Sequence, residues 1–152
     1  MDKEYNLNFQ LDILGFGPLF DSITERIKEL ALNDKIFLRG NVKNVNEYME
    51  NASIYIHTAS YEPFGMVFLE AMASGLPIIS SNGRGNIELV ISDYNGYMID
   101  TRTPMDYVKK IIELTSNSEL YTKFSTNSLI HVKKYDIKEY VKKLNEIYFM
   151  SK

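Results

Sequence analysis

The stretch that most constrains the fold runs from residue 54 to residue 79, where two short hydrophobic segments enclose an apolar run. The segments at 54–57 and 77–79 have the β-branched and aromatic composition of strands. Between them, a turn containing proline and glycine precedes the apolar run, which a Ser-Gly pair ends, so a helix is predicted at 65–74. This order predicts a β-α-β unit, around which the remaining elements must be arranged.

Two carboxylates mark this unit, Glu62 in the turn and Glu70 within the predicted helix. The start of a helix offers unpaired backbone N–H groups and a partial positive charge, which suit an anion such as a diphosphate. The glutamates cannot hold that anion, because like charges repel. They can accept hydrogen bonds from hydroxyl groups, and a sugar or a ribose supplies these. The stretch therefore predicts a site for a sugar attached to a phosphate.

The segment EPFGMVFLEAMASGLPII, in which seven residues separate Glu62 from Glu70, resembles the E-x7-E signature of the group 1 (family 4) retaining glycosyltransferases. Their glycogen-synthase and sucrose-synthase relatives share it. In that family the signature lies in the C-terminal, nucleotide-sugar-binding domain of the GT-B fold. The segments LDILGFGP and IFLRGNV resemble the same domain, and the resemblance extends over about residues 8–101.

The resemblance implies a donor site on this chain. Glu62 is expected to be the catalytic residue and to contact hydroxyls of the donor sugar, and Glu70 is expected to bind the ribose hydroxyls. The backbone that lines the donor sugar and the diphosphate is expected to be that of Phe64, Gly65, Met66 and Val67. Two further segments are candidates for the nucleotide loop: Gly15 and Gly17 in the first, and Gly40, Asn41 and Val42 in the second.

Predicted strands alternate with predicted helices along the chain, which is typical of an α/β fold. We expect a Rossmann-like parallel sheet flanked by helices, the C-terminal half of a GT-B glycosyltransferase. The strands are predicted at 7–14, 36–40, 53–58, 77–80 and 97–99. One helix is predicted to begin after Pro18. Further helices are predicted at 44–50, 65–74, 86–91, 103–116, 118–132 and 137–149.

Length and charge exclude several other classes of protein. A chain of 152 residues suffices for a single nucleotide-sugar-binding domain, residues 1–152, but not for two Rossmann-like halves. The net charge of −3 argues against non-specific nucleic-acid binding. The chain has no cysteine, and no cluster suggests a metal, so we expect neither a metal nor a cofactor besides the donor. The chain has no apolar run of about 20 residues, the length needed to cross a membrane. The expected location is therefore cytoplasmic, or peripheral at the inner face of the membrane in the full-length enzyme.

The family's domain begins with a further strand and helix that supply an arginine and a lysine for the diphosphate, and no such unit precedes Leu7. We therefore expect either a fragment of a two-domain enzyme or a degenerate relative, and the intact motif favours the fragment. Such a fragment would lack the N-terminal acceptor domain and would be inactive alone. The first strand and the strand at 54–57 would lack their shared neighbour, so we expect self-association through exposed sheet edges, or a rearranged or swapped segment in the gap.

The predicted function is hexose transfer from a UDP- or GDP-sugar to an unknown acceptor, with retention, in polysaccharide, glycolipid or other cell-surface glycan synthesis. The alternatives are a non-catalytic nucleotide-sugar-binding or regulatory module, and a glycogen-synthase-like enzyme. A flavodoxin-like signalling domain is a more distant alternative. His57 and His131 lack a nearby Ser/Asp set and are interpreted as structural, and Arg84 is interpreted as a phosphate contact or a solvated charge.

Overall fold

The computed structural model describes residues 8–83, 85–100 and 103–150, in which strands alternate with helices. The chain forms two compact units, with the boundary between Tyr48 and Met49. All paired strands are parallel, and helices connect them, which confirms the α/β class expected from the sequence.

The first unit contains two parallel strands joined by a helix. Strand β1 (Leu11–Leu14) pairs with β2 (Ile36–Gly40), and helix α1 (Phe20–Glu29) connects them. The α1 side chain that is buried is Ile27. Helix α2 (Val45–Asn51) follows and contains the boundary between the units. The register of the pair brings the carboxyl ends of both strands to one edge of this small sheet.

The second unit contains a parallel sheet in the order β3-β4-β5. Its elements are β3 (Tyr55–His57), α3 (Met66–Ala73), β4 (Ile78–Ser81), β5 (Gly96–Ile99), α4 (Pro104–Ser116), α5 (Ser118–Val132), a 3₁₀ turn (Lys133–Tyr135) and α6 (Ile137–Met150). Within the described residues, no helix is both long enough and apolar enough to cross a lipid bilayer.

The core of the second unit lies around its two inner strands and the helices that follow them. All four residues of β4 are buried, as expected for a central parallel strand covered on both faces. The core cluster consists of Ile79, Tyr97, Ile99, Leu114 and Phe124. The ring of Tyr97 meets that of Phe124 edge-on with 5.2 Å between centroids, so strand β5 and helix α5 are joined through aromatic packing.

The sequence contains the signals that begin the later helices. Pro104 is the first residue of α4, where a missing N–H costs no helical hydrogen bond. Asn117 is the N-cap of α5, and its side-chain oxygen accepts a hydrogen bond of 3.0 Å from the Leu120 N–H. These local signals explain why the predicted bounds of α4 and α5 agree with the structure to within a residue, and the predicted bounds of α6 agree equally well.

The predicted helix at 86–91 and the predicted bounds of two strands differ from the structure. The predicted helix at 86–91 is wrong, because residues 85–89 form turns. The backbone N–H groups of Leu89 and Val90 both donate to the Asn86 carbonyl, and so few residues cannot build enough helical hydrogen bonds to favour a helix. The strand predicted at 7–14 begins at Leu11, so its prediction is wrong for residues 8–10, and residue 7 lies outside the described residues. The strand predicted at 53–58 is shorter in the structure, Tyr55–His57.

Candidate functional site

The glutamate loop and the glycine-rich loop lie at the same edge of the second sheet. The loop that contains Glu62 follows β3, and residues 82–86 follow β4. These strands are parallel neighbours, with Tyr55 opposite Ile78 and His57 opposite Ser80. Their carboxyl ends therefore meet at one edge, which is where open α/β sheets bind ligands.

Gly65 sets the position at which α3 begins. Its φ of +84° lies in the left-handed region, which a residue with a side chain rarely adopts. A Cβ at this position would also overlap the ring of Phe68, which is fully buried. Met66 and Val67 form the first turn of α3, so their backbone N–H groups have no partner carbonyl four residues earlier. The sequence thus creates an anion-compatible helix start directly after the glutamate loop.

The glycine-rich loop packs against the backbone of the glutamate loop. The Glu62 N–H donates to the Gly83 carbonyl at 3.0 Å. A Cβ on Gly85 would overlap the carbonyl oxygens of Glu62 and Pro63, so a glycine is required for this close approach. The position of Glu62 therefore depends on a segment that comes later in the chain.

The buried side chain of Asn86 holds the glycine-rich loop in place. Its Oδ1 accepts from the Gly83 N–H at 3.0 Å, and its Nδ2 donates to Ser80 Oγ at 2.7 Å and to the Ser81 carbonyl at 2.9 Å. The Ser81 hydroxyl donates in turn to the carbonyl of Ala59, which lies in the segment that follows β3. Both loops are thus tied to the end of β4 by hydrogen bonds, and those of Asn86 are buried.

His57 lies beside Glu62 at the end of β3. Its Nε2 is 3.5 Å from Glu62 Oε2, and its Nδ1 is 2.9 Å from the hydroxyl oxygen of Tyr55. The ring packs against Phe68, with 4.7 Å between the ring centroids. The sequence interpretation of His57 as structural overlooked this contact with the candidate catalytic residue. The sequence signal for this contact is the place of His57 at the carboxyl end of a predicted parallel strand, where ligand-binding residues of α/β sheets lie.

The surroundings of His57 predict a pH dependence of stability. Burial lowers the pKa of His57 below its ordinary 6.5, although the charge of Glu62 acts in the opposite direction. Tyr55 and Glu62 are the titratable groups that face the ring. A lowered pKa means that the unfolded chain binds the proton more readily than the folded chain does. The stability contribution is therefore complete above the unfolded pKa and is lost as the pH falls.

We expect the free energy of unfolding to decrease between about pH 7.5 and about pH 5, and to decrease less in the variant His57→Gln. The replacement cannot gain a proton in this range, so it removes the contribution of His57. Denaturant unfolding of both proteins at a series of pH values measures the effect. Identical pH profiles for the two proteins would contradict the prediction.

The other predicted donor-site residues surround the start of α3. Gly65 is buried, Val67 is half-buried, and Phe64, Met66 and Glu70 are exposed. Glu62 has a side-chain exposure of 22%. Burial raises the pKa of the Tyr55 hydroxyl, and the negative charges of Glu62 and Glu70 raise it further. Both glutamates of the signature thus raise the pKa of the same group, the Tyr55 hydroxyl.

The candidate nucleotide-loop residues all belong to the first unit. Gly15 and Gly17 follow β1, while Gly40 ends β2 and Asn41 and Val42 follow it. The structure brings these segments together at one edge, because the Gly15 N–H donates to the Gly40 carbonyl at 2.8 Å. Their assignment to the nucleotide stays a prediction.

His131 and Arg84 are two further residues that the sequence analysis considered. His131 is buried, and its Nε2 is 2.8 Å from the Glu88 carbonyl oxygen, which supports its structural interpretation. Arg84 lies outside the described residues. In the part of the chain that the structure describes, no three His, Cys, Asp or Glu side chains are grouped so that they could hold a metal ion.

Sequence comparison relates most of the chain to one family. Residues 2–131 match the family described as "Glycosyl transferases group 1". The chain is 29% identical over 133 residues to the poly(glycerol-phosphate) alpha-glucosyltransferase of Bacillus subtilis, an alignment that covers 87% of this chain and 20% of that protein. Across eight such curated relatives, the matched part spans between 20% and 42% of their length.

Solved structures show the same fold. The pneumococcal O-GlcNAc transferase GtfA, in complex with UDP and GlcNAc, superposes with a TM-score of 0.80 at 25% identity, covering 91% of this chain and 28% of that one. The C-terminal domain of the group 1 protein LpcC from Francisella tularensis superposes with a TM-score of 0.77 at 26% identity, covering 90% of this chain and 74% of that one. The chain belongs to the group 1 glycosyltransferases.

Proposed function

We propose that this chain is the donor-binding part of a glycosyltransferase that transfers a hexose from a nucleoside diphosphate sugar to an acceptor with retention of configuration. The observation that supports this most directly is the position of Glu62 beside the start of α3, at the ligand-binding edge of the sheet. The carboxylate can accept hydrogen bonds from the hydroxyls of the sugar, and the helix start attracts the anionic diphosphate. Together they suit the two ends of a sugar diphosphate.

Each part of the site has a proposed role. Glu62 binds hydroxyls of the donor sugar and is the catalytic residue, and Glu70 binds the ribose hydroxyls. The backbone from Phe64 to Val67 lines the sugar and the diphosphate. Met66 and Val67 belong to the first turn of α3, and their N–H groups are proposed to donate to the negatively charged diphosphate. The exposure of Glu70 on α3 leaves its carboxylate accessible to a ligand.

In the proposed reaction, the bond between the anomeric carbon and the diphosphate oxygen breaks, and a bond from that carbon to an acceptor oxygen forms on the same face of the sugar. The O–H bond of the acceptor breaks at the same time, and its proton leaves with the diphosphate. Negative charge develops on the leaving diphosphate as the bond breaks. Fixed N–H dipoles at the start of α3 stabilise that charge without having to reorganise. Glu62, held by the glycine-rich loop, orients the sugar for the transfer.

The relatives guide the choice of donor and acceptor. The GtfA structure contains UDP, which makes a uridine diphosphate sugar the first donor to test, with a guanosine diphosphate sugar as the second. The Bacillus subtilis relative is named for a poly(glycerol-phosphate) acceptor. We propose that the acceptor of this protein is likewise a polymer, a glycolipid or another precursor of a cell-surface glycan.

Replacing Glu70 by alanine tests the ribose assignment. We expect nucleotide binding to weaken about tenfold to a hundredfold, because losing a hydrogen bond to a charged group costs about 1.5–3 kcal/mol. Calorimetry of the chain with UDP-glucose and with GDP-mannose provides the measurement. An affinity unchanged by the substitution would refute the assignment.

A second glutamate serves as the matched control. Glu25 is an exposed residue of α1, and Glu25→Ala removes the same charge from a helix outside the proposed site. The affinity of the Glu25→Ala variant for either nucleotide sugar should equal that of the unmodified chain. Absence of binding by the unmodified chain to both sugars would contradict the proposal that this chain binds the donor.

A further inference from the structure

A chain of three polar side chains ends at Glu62. The Tyr55 hydroxyl is 2.9 Å from His57 Nδ1, and His57 Nε2 is 3.5 Å from Glu62 Oε2. The Nε2 atom is buried and has no hydrogen-bond partner in the described structure. Because a buried polar atom without a partner is costly, its position next to a half-buried carboxylate requires an explanation.

Tyr55 determines which nitrogen of His57 carries the proton. Burial, followed by the charges of Glu62 and Glu70, raises the pKa of the Tyr55 hydroxyl, so this group keeps its proton. A protonated hydroxyl donates to Nδ1, which leaves the hydrogen of the neutral imidazole on Nε2. The opposite tautomer would turn the Nε2 lone pair towards the carboxylate and would leave the hydroxyl proton without this acceptor.

Phe68 restricts the orientation of both rings. Its ring meets Tyr55 edge-on at 5.8 Å between centroids and packs against His57 at 4.7 Å. Phe68 itself is fully buried at the start of α3, the same helix start that is proposed to face the diphosphate. The imidazole therefore cannot rotate freely, and its Nε2 stays directed at Glu62.

We infer that His57 is a positioning residue for the Glu62 carboxylate and that Tyr55 keeps His57 in the tautomer that this role requires. The inference rests on the proposed function, because Glu62 is assigned to the donor sugar there. The separation of 3.5 Å between His57 Nε2 and Glu62 Oε2 is just beyond an ordinary hydrogen bond. In the proposed role Oε2 accepts from His57, and the remaining lone pairs of the carboxylate accept from sugar hydroxyls.

This arrangement predicts an effect on the sugar but not on the nucleotide. UDP-glucose contains the sugar that Glu62 would contact, whereas UDP does not. In His57→Phe, we expect the affinity for UDP-glucose to fall about tenfold while the affinity for UDP stays unchanged. His57→Gln, which can place an N–H near the same position, should restore a large part of the loss. Calorimetry of the full chain with both ligands measures the two affinities.

Two tyrosines provide a matched pair of variants. Tyr55→Phe removes the hydroxyl that faces His57, and Tyr97→Phe removes one that donates to Glu113 at 2.6 Å in another part of the second unit. We expect about a threefold loss of UDP-glucose affinity in the first and none in the second. Equal losses in both would show that lost packing or stability, and not the tautomer of His57, causes the effect.

The failure of this inference is distinguishable from the failure of the proposed function. Unchanged UDP-glucose affinity in His57→Phe would overturn the role of His57 while the chain still binds donor. If the unmodified chain binds neither UDP nor UDP-glucose, the proposed function fails, and nitrogen NMR of the imidazole decides whether the contact exists. We expect a protonated Nε2 and a lower pKa of His57 in Glu62→Gln. A protonated Nδ1, or a pKa that does not respond, would overturn the inference.

Discussion

Replacing Phe124 by alanine is expected to lower the free energy of unfolding by about 3–5 kcal/mol, the range for removing a buried aromatic ring. Phe124 is fully buried in α5 and meets the ring of Tyr97 on β5. The substitution would leave a cavity between a helix and the inner strands, which the surrounding close-packed side chains can fill only in part. Denaturant unfolding, followed by circular dichroism, measures the change.

The matched control removes the same ring from the surface. Phe149 lies in α6 with 73% of its surface exposed, so Phe149→Ala should change the free energy of unfolding by no more than about 0.5 kcal/mol. A loss in Phe124→Ala no larger than that in Phe149→Ala would contradict the packing of α5 against the sheet.

Replacing Gly85 by alanine is expected to abolish most of the donor affinity. The added Cβ would overlap the carbonyl oxygens of Glu62 and Pro63, and backbone atoms cannot move aside as a flexible side chain can. The glutamate loop must therefore shift, which moves Glu62 away from the donor sugar and loses a hydrogen bond to a charged group, worth about 1.5–3 kcal/mol. The affinity for UDP-glucose, measured by calorimetry, should fall about tenfold to a hundredfold.

A neighbouring glycine separates this effect from a general disturbance of the loop. A Cβ on Gly83 would lie 3.3 Å from Glu62 Cβ and the Glu62 N atom, a tight approach that a shift of a few tenths of an ångström relieves. Gly83→Ala should therefore reduce UDP-glucose affinity much less than Gly85→Ala. If Gly85→Ala binds UDP-glucose as well as the unmodified chain, the glycine-rich loop does not position Glu62.

The parts of the local structure around the candidate site that the sequence predicted well are those in which local signals agree. The helix predicted at 65–74 is observed as Met66–Ala73, because a glycine before it and a Ser-Gly pair after it mark both ends. Glu62 and Glu70 take the predicted places in the loop and on the helix, since these places depend only on the order of strand, turn and helix.

The parts that sequence reasoning missed depend on contacts between separate segments. The helix predicted at 86–91 is replaced by turns, at the start of which the Asn86 side chain bonds to Gly83, Ser80 and Ser81. An asparagine in a sequence does not show which backbone groups it will reach. The approach of Gly85 to the backbone of Glu62 is likewise invisible in the sequence, where this glycine appears as an ordinary loop residue.

The sequence by itself determined the α/β class, the order of the elements and the place of the two signature glutamates. These follow from hydrophobic periodicity, turn residues and helix ends, which act over a few neighbouring residues. The tertiary structure alone decided that His57 faces Glu62 and that the loop after β4 supports the loop after β3. Side-chain distances of a few ångströms depend on how strands and loops pack together, and the pairing of β3 with β4 brings these residues to one edge.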